Sequence, residues 1–400
     1  MKLKQVMPNG RQEILTERRR LKMAQSAHAY VRGNTIKFYE WLDRAGKSKS
    51  LPEGPSIWIC GDCHIGNLGP VASAEGKVEI QIRDLDQTVI GNPAHDVIRL
   101  SLSLAMAARG SDLPGVTTAL MVEQVIQGYR HALLGRASKV KESDVMPIKL
   151  VMRQALNREW RHLAEERIED VKPTIPLGAR FWALSKAERE EIERLFGEDD
   201  VRKMATCLKS RDNKDKVAVL DAAYWMKGCS SLGRLRFAVL AGIGKGKRRD
   251  FSLIDIKEAV KAAAPRAAKS EMPRGNAERV VAGAKALSPF LGNRMLASQF
   301  MDKSVVLREL MPQDLKFEME SLTQAEAIAA ANLFAGVVGR AHARQMNRDT
   351  RGRWAAELMK TQGKTIDAPS WLWSSVVDLV SDHEAGYLEH CRLFAMKRAG

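Results

Sequence analysis

The sequence predicts an α+β fold divided into two lobes. Its 400 residues exceed one ordinary domain, and 45% of them are hydrophobic, which is enough for a sizeable core. Apolar residues recur at helical spacing over much of the chain. In residues 78–82 they instead alternate with polar residues, and Leu235, Phe237 and Val239 also have the alternating spacing of a strand.

The first predicted elements are a helical segment and a short strand. Residues Glu17 to Leu42 have apolar side chains at helical spacing, and those expected to be buried are Tyr30, Val31, Phe38, Tyr39 and Trp41. A linker rich in Ser, Pro and Gly, Lys47 to Pro55, leads into a strand that carries Trp58 and Ile59. The strand is expected to deliver the polar residues that follow it.

Those polar residues have a spacing that points to phosphoryl transfer. Asp62 and Asn67 are five residues apart, and the predicted strand 78–82 is followed by Asp84 and Asp86. Phosphoryl transfer needs a carboxylate to orient and deprotonate a hydroxyl. It also needs an amide and a second carboxylate to hold magnesium beside the triphosphate. This stretch supplies all of these groups.

Two other interpretations of the same stretch remain open. Asp and Asn are common in turns and helix caps, so the stretch also fits a plain strand, turn and helix. Cys60-Gly-Asp-Cys63-His64 matches the pattern for c-type haem attachment, but this requires export, and Met1 to Arg20 has no apolar run of signal-peptide length. The other cysteines are scattered singly, which favours reduced thiols over a zinc or redox pair.

Further along the chain, helices predominate. A Leu- and Ala-rich helix is expected from Asp96 to Arg109, followed by a break at Gly110 to Gly115 and a second helix to about Leu134. Residues 143–215 are charged, with helical stretches near 149–168 and 185–208. We expect a lobe boundary in this charged region.

Residues 224–310 have the features of a nucleotide-binding lobe. The small-residue turn Lys227 to Gly233 precedes a strand, and small residues let backbone N–H groups approach phosphate. The next strand ends in Lys257, and a helix 21 residues further on contains Glu278, a suitable partner for that lysine. The predicted nucleotide-binding residues are Gly228, Ser230, Ser231, Gly233, Lys257 and Glu278. Taken singly, a plain hairpin, a solvated edge-strand lysine and an exposed glutamate on a helix explain them better. Taken together, they favour the nucleotide-binding interpretation.

Residues 60–97 resemble the patterns HGDxHxxN and IDFxDxxxGDPxxDLA of the aminoglycoside and choline kinase-like branch of the protein-kinase superfamily. The resemblance implies that Asp62 is the catalytic base and that Asn67 and Asp84 bind metal. It also implies that Asp96 is structural. Two positions depart from the pattern, since Cys60 replaces a histidine and Gln87 an acidic residue. Asp86 is a candidate to compensate as an auxiliary metal ligand.

The order of the segments implies a circular permutation. Leu333 to Arg344 resembles the helix that, in that branch, leads directly into the catalytic loop, yet here it follows the loop by more than 250 residues. Val305 to Pro312 resembles the hinge between the lobes. We therefore divide the chain into a catalytic-loop part of the helical lobe, a connector or substrate region, a nucleotide-binding part, and helices completing the helical lobe: residues 1–142, 143–215, 216–312 and 313–400.

The complete order of motifs, over about residues 18–345, is similar to a large bacterial family known only as a domain of unknown function. We expect an ATP- and Mg²⁺-dependent phosphotransferase acting on a hydroxyl of an acceptor that the sequence does not identify. The alternatives are a non-catalytic, pseudokinase-like nucleotide-binding regulator and a basic protein associated with nucleic acid. The roles of Arg32 and Arg344 are open.

The net charge of +16 favours an acidic partner, such as a nucleotide, a phosphorylated metabolite or nucleic acid. The basic clusters contain no stacking aromatic residues, so no nucleic-acid-binding motif supports the last of these. No run of 18 apolar residues occurs, and we expect a cytoplasmic protein without a membrane span.

Overall fold

The structure is a computed structural model that describes residues 6–48, 51–111, 113–138, 140–168, 174–229, 231–246, 249–315, 317, 322–360 and 368–394. The α-helices are α1 (Pro8–Met23), α2 (Ala27–Gly33), α3 (Thr35–Ser48), α4 (Ala94–Arg109), α5 (Gly115–Leu133), α6 (Met146–Leu156), α7 (Trp160–Ile168), α8 (Lys186–Phe196), α9 (Asp199–Ala205), α10 (Asn276–Leu287), α11 (Pro289–Gly292), α12 (Gln324–Ala343), α13 (Arg348–Glu357) and α14 (Ser370–Phe394). The strands are β1 (Ile57–Ile59), β2 (Leu68–Ala72), β3 (Val78–Ile82), β4 (Val89–Gly91), β5 (Phe181–Trp182), β6 (Val217–Trp225), β7 (Arg236–Ile243), β8 (Asp250–Glu258), β9 (Met295–Phe300) and β10 (Lys303–Leu310). The chain is therefore an α+β protein, as predicted.

The largest sheet has six antiparallel strands in the order β5-β6-β7-β8-β10-β9. Side chains alternate across it, so that Phe237 and Val239 of β7 pack in one core with α8 and α9. Ala238 and Leu240 pack in another core with α7. Because both faces are covered, β7 is apolar along almost its whole length.

A further core lies among α3, α4, α5, α12 and α14. Two small antiparallel pairs, β1 with β4 and β2 with β3, border this helical part. The strand predicted over residues 78–82 is confirmed as β3, and the two helices predicted after Asp96 are confirmed as α4 and α5. The segment expected to form a hinge forms β10 and the first residues after it.

The helical character predicted for Glu17 to Leu42 is confirmed, but the segment is divided among three helices. The region forms α1, α2 and α3, separated near Ser26 and Asn34. The Ser26 side chain accepts a hydrogen bond from the Ala29 N–H and so caps α2, which starts a new helix. The apolar positions were nevertheless identified correctly, because the five side chains expected to be buried are all at most 8% exposed.

Within the described residues, no helix is both long enough and apolar enough to cross a membrane.

Candidate active site

The loop between β1 and β2 is fixed by a buried carboxylate. Asp96 is fully buried at the start of α4, and its two oxygens accept from the N–H groups of Cys60 at 2.7 Å and Gly61 at 3.0 Å. Gly61 has a φ of 76°, and a Cβ at this position would lie 2.1 Å from the Gln87 carbonyl oxygen. Only glycine fits there, so the loop has one defined course.

Asp96 also connects the loop to α12 through a chain of hydrogen bonds. His342 Nε2 lies 3.1 Å from an Asp96 oxygen, and His342 Nδ1 lies 2.8 Å from the Tyr129 hydroxyl. The Trp354 indole N–H donates to the same hydroxyl at 3.0 Å. One arrangement satisfies every group: Trp354 donates to Tyr129, Tyr129 donates to His342, and the Nε2–H of a neutral His342 donates to Asp96.

Asp62, the predicted base, lies in this loop and is only 8% exposed. Its Oδ1 accepts from the Arg99 guanidinium at 2.9 Å, and its Oδ2 accepts from the Thr35 hydroxyl at 2.8 Å. Burial raises the pKa of Asp62 from its usual value, while Arg99 and the Thr35 hydroxyl limit the rise. A carboxylate has about four acceptor positions, so two remain for a substrate hydroxyl.

Asn67, a predicted metal ligand, is oriented by the same loop. Its Nδ2 donates to the Asp62 backbone carbonyl at 3.0 Å, which assigns its Oδ1 as the group left for a ligand. Asn67 is 9% exposed and, with Asp84, lines a cleft between the helical part and the six-stranded sheet. An amide oxygen and a carboxylate are the hard oxygen donors that magnesium prefers, so this pair fits the predicted metal.

Lys257 links the six-stranded sheet to the segment that carries Asp84 and Asp86. From the central strand β8, its Nζ lies 3.3 Å from Asp84 Oδ1, although 173 residues separate them in sequence. The same ammonium also forms an ion pair with Asp86. Burial alone would raise the pKa of Asp84. The positive charges of Lys257 and of two arginines, Arg308 and Arg236, have the larger effect and lower the pKa of Asp84 well below its usual range. Burial and the nearby Asp84 charge raise the pKa of Asp86.

The loop between β6 and β7 covers the cleft from the sheet side. Lys227, Gly228 and Ser231 line the cleft, and the Ser231 hydroxyl donates to the Lys227 carbonyl at 3.1 Å. Gly228 has a φ of 94°, and a Cβ there would lie 2.3 Å from that hydroxyl. Gly233 lies at the far end of the loop, beside Gln12. The predicted residue Ser230 lies outside the described residues.

The structure does not form the predicted ion pair between Lys257 and Glu278. Glu278 is exposed in the first turn of α10 and folds back over Gly275, where a carboxylate is favoured by the helix dipole. The next residue, Arg279, points inward instead and donates to the carbonyls of Asp86 at 3.0 Å and Val260 at 2.9 Å. Among the described residues, the ion pairs of Lys257 are those with Asp84 and Asp86.

The cleft has a volume of about 480 Å³. Asp62 is two residues before the lining residue His64 in sequence, and its backbone carbonyl accepts from the lining residue Asn67. His64 Nε2 is 3.9 Å from Asp62 Oδ2. Burial and then the charges of Arg32 and Arg99 lower the pKa of His64 well below its usual value, so its ring is neutral at pH 7.

Sequence reasoning missed Arg99 and His64 as parts of this site. Arg99 is fully buried, and it is the only charged residue between Val97 and Ala108 of an otherwise apolar and small-residue helix. A charge in such a run must have a partner, and this was the available signal. His64 occupies the second histidine position of the pattern HGDxHxxN, and this was the available signal for it.

The fold and the site define an α+β protein in which a lysine of a central antiparallel strand faces aspartates from a loop of the helical part. The chain belongs to the family described as "Uncharacterized protein conserved in bacteria (DUF2252)", whose model matches residues 11–393. This match confirms the predicted relation to a bacterial family of unknown function. No curated protein and no solved structure matches the chain.

Proposed function

We propose that the protein is a kinase-like phosphotransferase that uses ATP and magnesium to phosphorylate a hydroxyl of an acceptor. The observation that carries the proposal is the ion pair between Lys257 and Asp84, which brings the sheet lysine beside the loop of Asp62 and Asn67. A phosphate-binding lysine, a metal-binding carboxylate and amide, and a base carboxylate are the parts that phosphoryl transfer requires.

The order of elements around Lys257 supports kinase-like architecture. Three consecutive strands, β6, β7 and β8, are followed by α10 and then by β9 and β10 in the same sheet. Protein kinases likewise place the lysine on the third strand, just before a helix, under a glycine-containing loop that covers the phosphates. Here the loop between β6 and β7 has that position and lines the cleft.

The contact between the end of α12 and β1 supports the permutation. Gln345, two residues after α12, accepts from the Trp58 N–H at 2.8 Å and donates to the Trp58 carbonyl at 3.0 Å. These residues are 287 positions apart in sequence. In the kinase-like branch that the chain resembles, the corresponding helix runs directly into the catalytic loop. The spatial neighbourhood is thus kept while the order along the chain is changed.

In this proposal Asn67 and Asp84 hold the magnesium, which neutralises charge on the triphosphate when bound. Asp62 orients the acceptor hydroxyl and takes its proton. The acceptor oxygen forms a bond to the γ-phosphorus, the bond from that phosphorus to the β,γ-bridging oxygen breaks, and ADP leaves with the electron pair. The buried Arg99 and the Thr35 hydroxyl keep the base in position.

Lys257 acts on the phosphates without the glutamate partner that the sequence suggested. Asp86 takes that role, because its carboxylate forms an ion pair with Lys257 while Asp84 faces the cleft. We therefore assign Asp86 to positioning Lys257, and Glu278 to the surface of α10.

We expect ATP to stabilise the protein against thermal unfolding, and more strongly with magnesium than without it. A ligand at a hundred times its dissociation constant adds about 2.7 kcal/mol to the free energy of unfolding. Asp84→Asn should remove most of the magnesium dependence, since it removes a charged metal ligand. Asp349→Asn, an exposed change on α13, should leave it intact. Thermal-shift titrations of the three proteins, with ATP alone and with ATP and magnesium, measure this.

Equal shifts with and without magnesium in the unmodified protein would contradict the assignment of Asn67 and Asp84 as metal ligands. A complete absence of ATP-dependent stabilisation would contradict the proposed function itself.

A further inference from the structure

The cleft contains many more basic than acidic side chains. Among the described residues, its lining has two carboxylates, Asp84 and Asp314, and eight basic side chains: Lys22, Arg32, Arg83, Arg167, Arg180, Lys227, Arg236 and Arg308. Asp255, just behind this lining, pairs with Arg236 at 2.5 Å and Arg308 at 3.5 Å. Arg167 likewise pairs with Glu166 at 3.0 Å. A triphosphate bound to magnesium carries roughly two negative charges and is assigned to β8 and the loop between β6 and β7, so it does not account for the buried Nε of Arg32, which is unpartnered among the described residues.

The basic groups of the cleft lie close enough to oppose one another's ionisation. Burial and then the Arg236 charge lower the pKa of Lys227 well below its usual value. Burial, with contributions from Arg308 and Arg167, lowers the pKa of Arg83 to about 10. An anion bound among these groups would relieve the repulsion.

Arg32 is one of the basic lining side chains that lie against the loop between β1 and β2. Its guanidinium carbon lies 3.0 Å from the point where a Cβ on Gly66 would stand, and its charge acts on His64. Within the part of the chain that the structure describes, no hydrogen bond or ion pair engages Arg32. His64 is 5% exposed, lines the same cleft, and its Nδ1 has no hydrogen-bond partner among the described residues.

Arg32 and its neighbours belong to elements outside those assigned to the nucleotide. Arg32 lies in α2, whereas the nucleotide-binding groups lie in β8 and in the loop between β6 and β7, to which Lys22 of α1 donates at the Gly228 carbonyl. Arg32 lies beside Gly66, a residue between His64 and Asn67 in sequence. It is therefore on the side of the cleft that carries the proposed base, Asp62. An acceptor whose hydroxyl reaches Asp62 would place its other groups near Arg32.

We propose that the acceptor is itself a phosphorylated compound, whose phosphate is bound by the guanidinium of Arg32 and by His64 while its hydroxyl faces Asp62. The guanidinium matches a phosphate with two parallel hydrogen bonds, and the Nδ1 of His64, unpartnered within the described residues, supplies a further donor in the tautomer that carries its proton there. Several basic groups around one position suit a phosphate better than a singly charged carboxylate. This inference rests on the proposed phosphotransferase function.

The test uses the full chain saturated with magnesium and a non-hydrolysable ATP analogue, so that the γ-phosphate position is filled. Inorganic phosphate is then titrated into this complex by calorimetry, with acetate titrated in parallel. We expect phosphate to bind and acetate to bind far more weakly. Arg32→Gln should weaken phosphate binding about 10- to 100-fold, the range of a charge-assisted pair. Arg32→Lys, which keeps the positive charge, should retain part of the phosphate affinity that Arg32→Gln loses.

The control is Arg189→Gln, an exposed change on α8, which should bind phosphate like the unmodified protein. All variants should bind the ATP analogue with similar affinity. If the analogue binds but phosphate does not, or if phosphate binds equally to the Arg32→Gln and Arg189→Gln proteins, the phosphorylated acceptor is wrong while the proposed function stands. Equal affinity for acetate would also overturn it. If the analogue does not bind, both proposals fall.

Discussion

Replacing Asp62 by asparagine is expected to slow phosphoryl transfer by about 10²- to 10⁴-fold, because the amide cannot take the proton of the attacking hydroxyl. Slow ATP hydrolysis without an acceptor is the measurement, since water then takes the place of the hydroxyl. The amide oxygen can still accept from Arg99 or Thr35, so nucleotide affinity should change little. Asp349→Asn is the matched control on the surface.

The melting temperature of each variant shows whether a loss of rate follows from loss of fold. If the Asp62→Asn protein remains folded, binds ATP and hydrolyses it at the unmodified rate, then Asp62 is not the base.

The largest stability effect is expected from Arg99→Met. Arg99 is fully buried between the Asp62 carboxylate and the Val31 carbonyl, to which it donates at 2.7 Å. Its removal leaves a buried carboxylate without its cation, a change that costs about 3–5 kcal/mol. Urea denaturation followed by far-ultraviolet circular dichroism would show this as a lower midpoint at an unchanged slope.

The matched control is Arg109→Met at the end of the same helix. Arg109 is 54% exposed and pairs with Glu384, so its loss should cost less than about 1 kcal/mol. Combining Arg99→Met with Asp62→Asn should cost clearly less than the sum of the two single changes, because the double variant no longer contains an unpaired buried charge. Two results would contradict a buried ion pair between Arg99 and Asp62. One is that the losses in free energy of unfolding are additive, and the other is that Arg99→Met and Arg109→Met cost the same.

Local spacing was sufficient to predict strands β1 and β3 and to select the loop of Asp62 and Asn67 as the candidate site. Asp62, Asn67 and Asp84 lie within 23 residues, and the strand between them has a simple alternation. Lys257 could be selected because it lies near the end of a strand that the mostly apolar residues 251–256 predict. These predictions depend on short-range periodicity, which a single sequence records directly.

The errors arose where tertiary structure decides between neighbouring residues. Glu278 and Arg279 are adjacent, and about 100° of helix rotation determines which of them faces the site. The apolar spacing of α10 leaves both near the boundary of the buried face, and the carbonyls of Asp86 and Thr88 select the arginine. Sequence alone could not show those acceptors, because they are more than 190 residues away.

The division of the N-terminal region into α1, α2 and α3 was missed for a different reason. Apolar residues keep helical spacing through Tyr30 and Phe38 even though the chain changes direction at Ser26 and Asn34. Ser26 is a strong capping residue, and it was the sign of a break that periodicity alone did not reveal. Arg32 lies in the short helix between these two breaks, which is how it reaches Gly66.

A crystal structure of the full chain with magnesium and a non-hydrolysable ATP analogue tests the central claim most directly. The account predicts triphosphate density between Lys257 and the loop that joins β6 to β7, with the metal bound by Asn67 Oδ1 and an Asp84 oxygen at about 2.0–2.1 Å. The γ-phosphate should face Asp62. Density for the analogue elsewhere on the molecule, or within this cleft without a metal at Asp84, would contradict it.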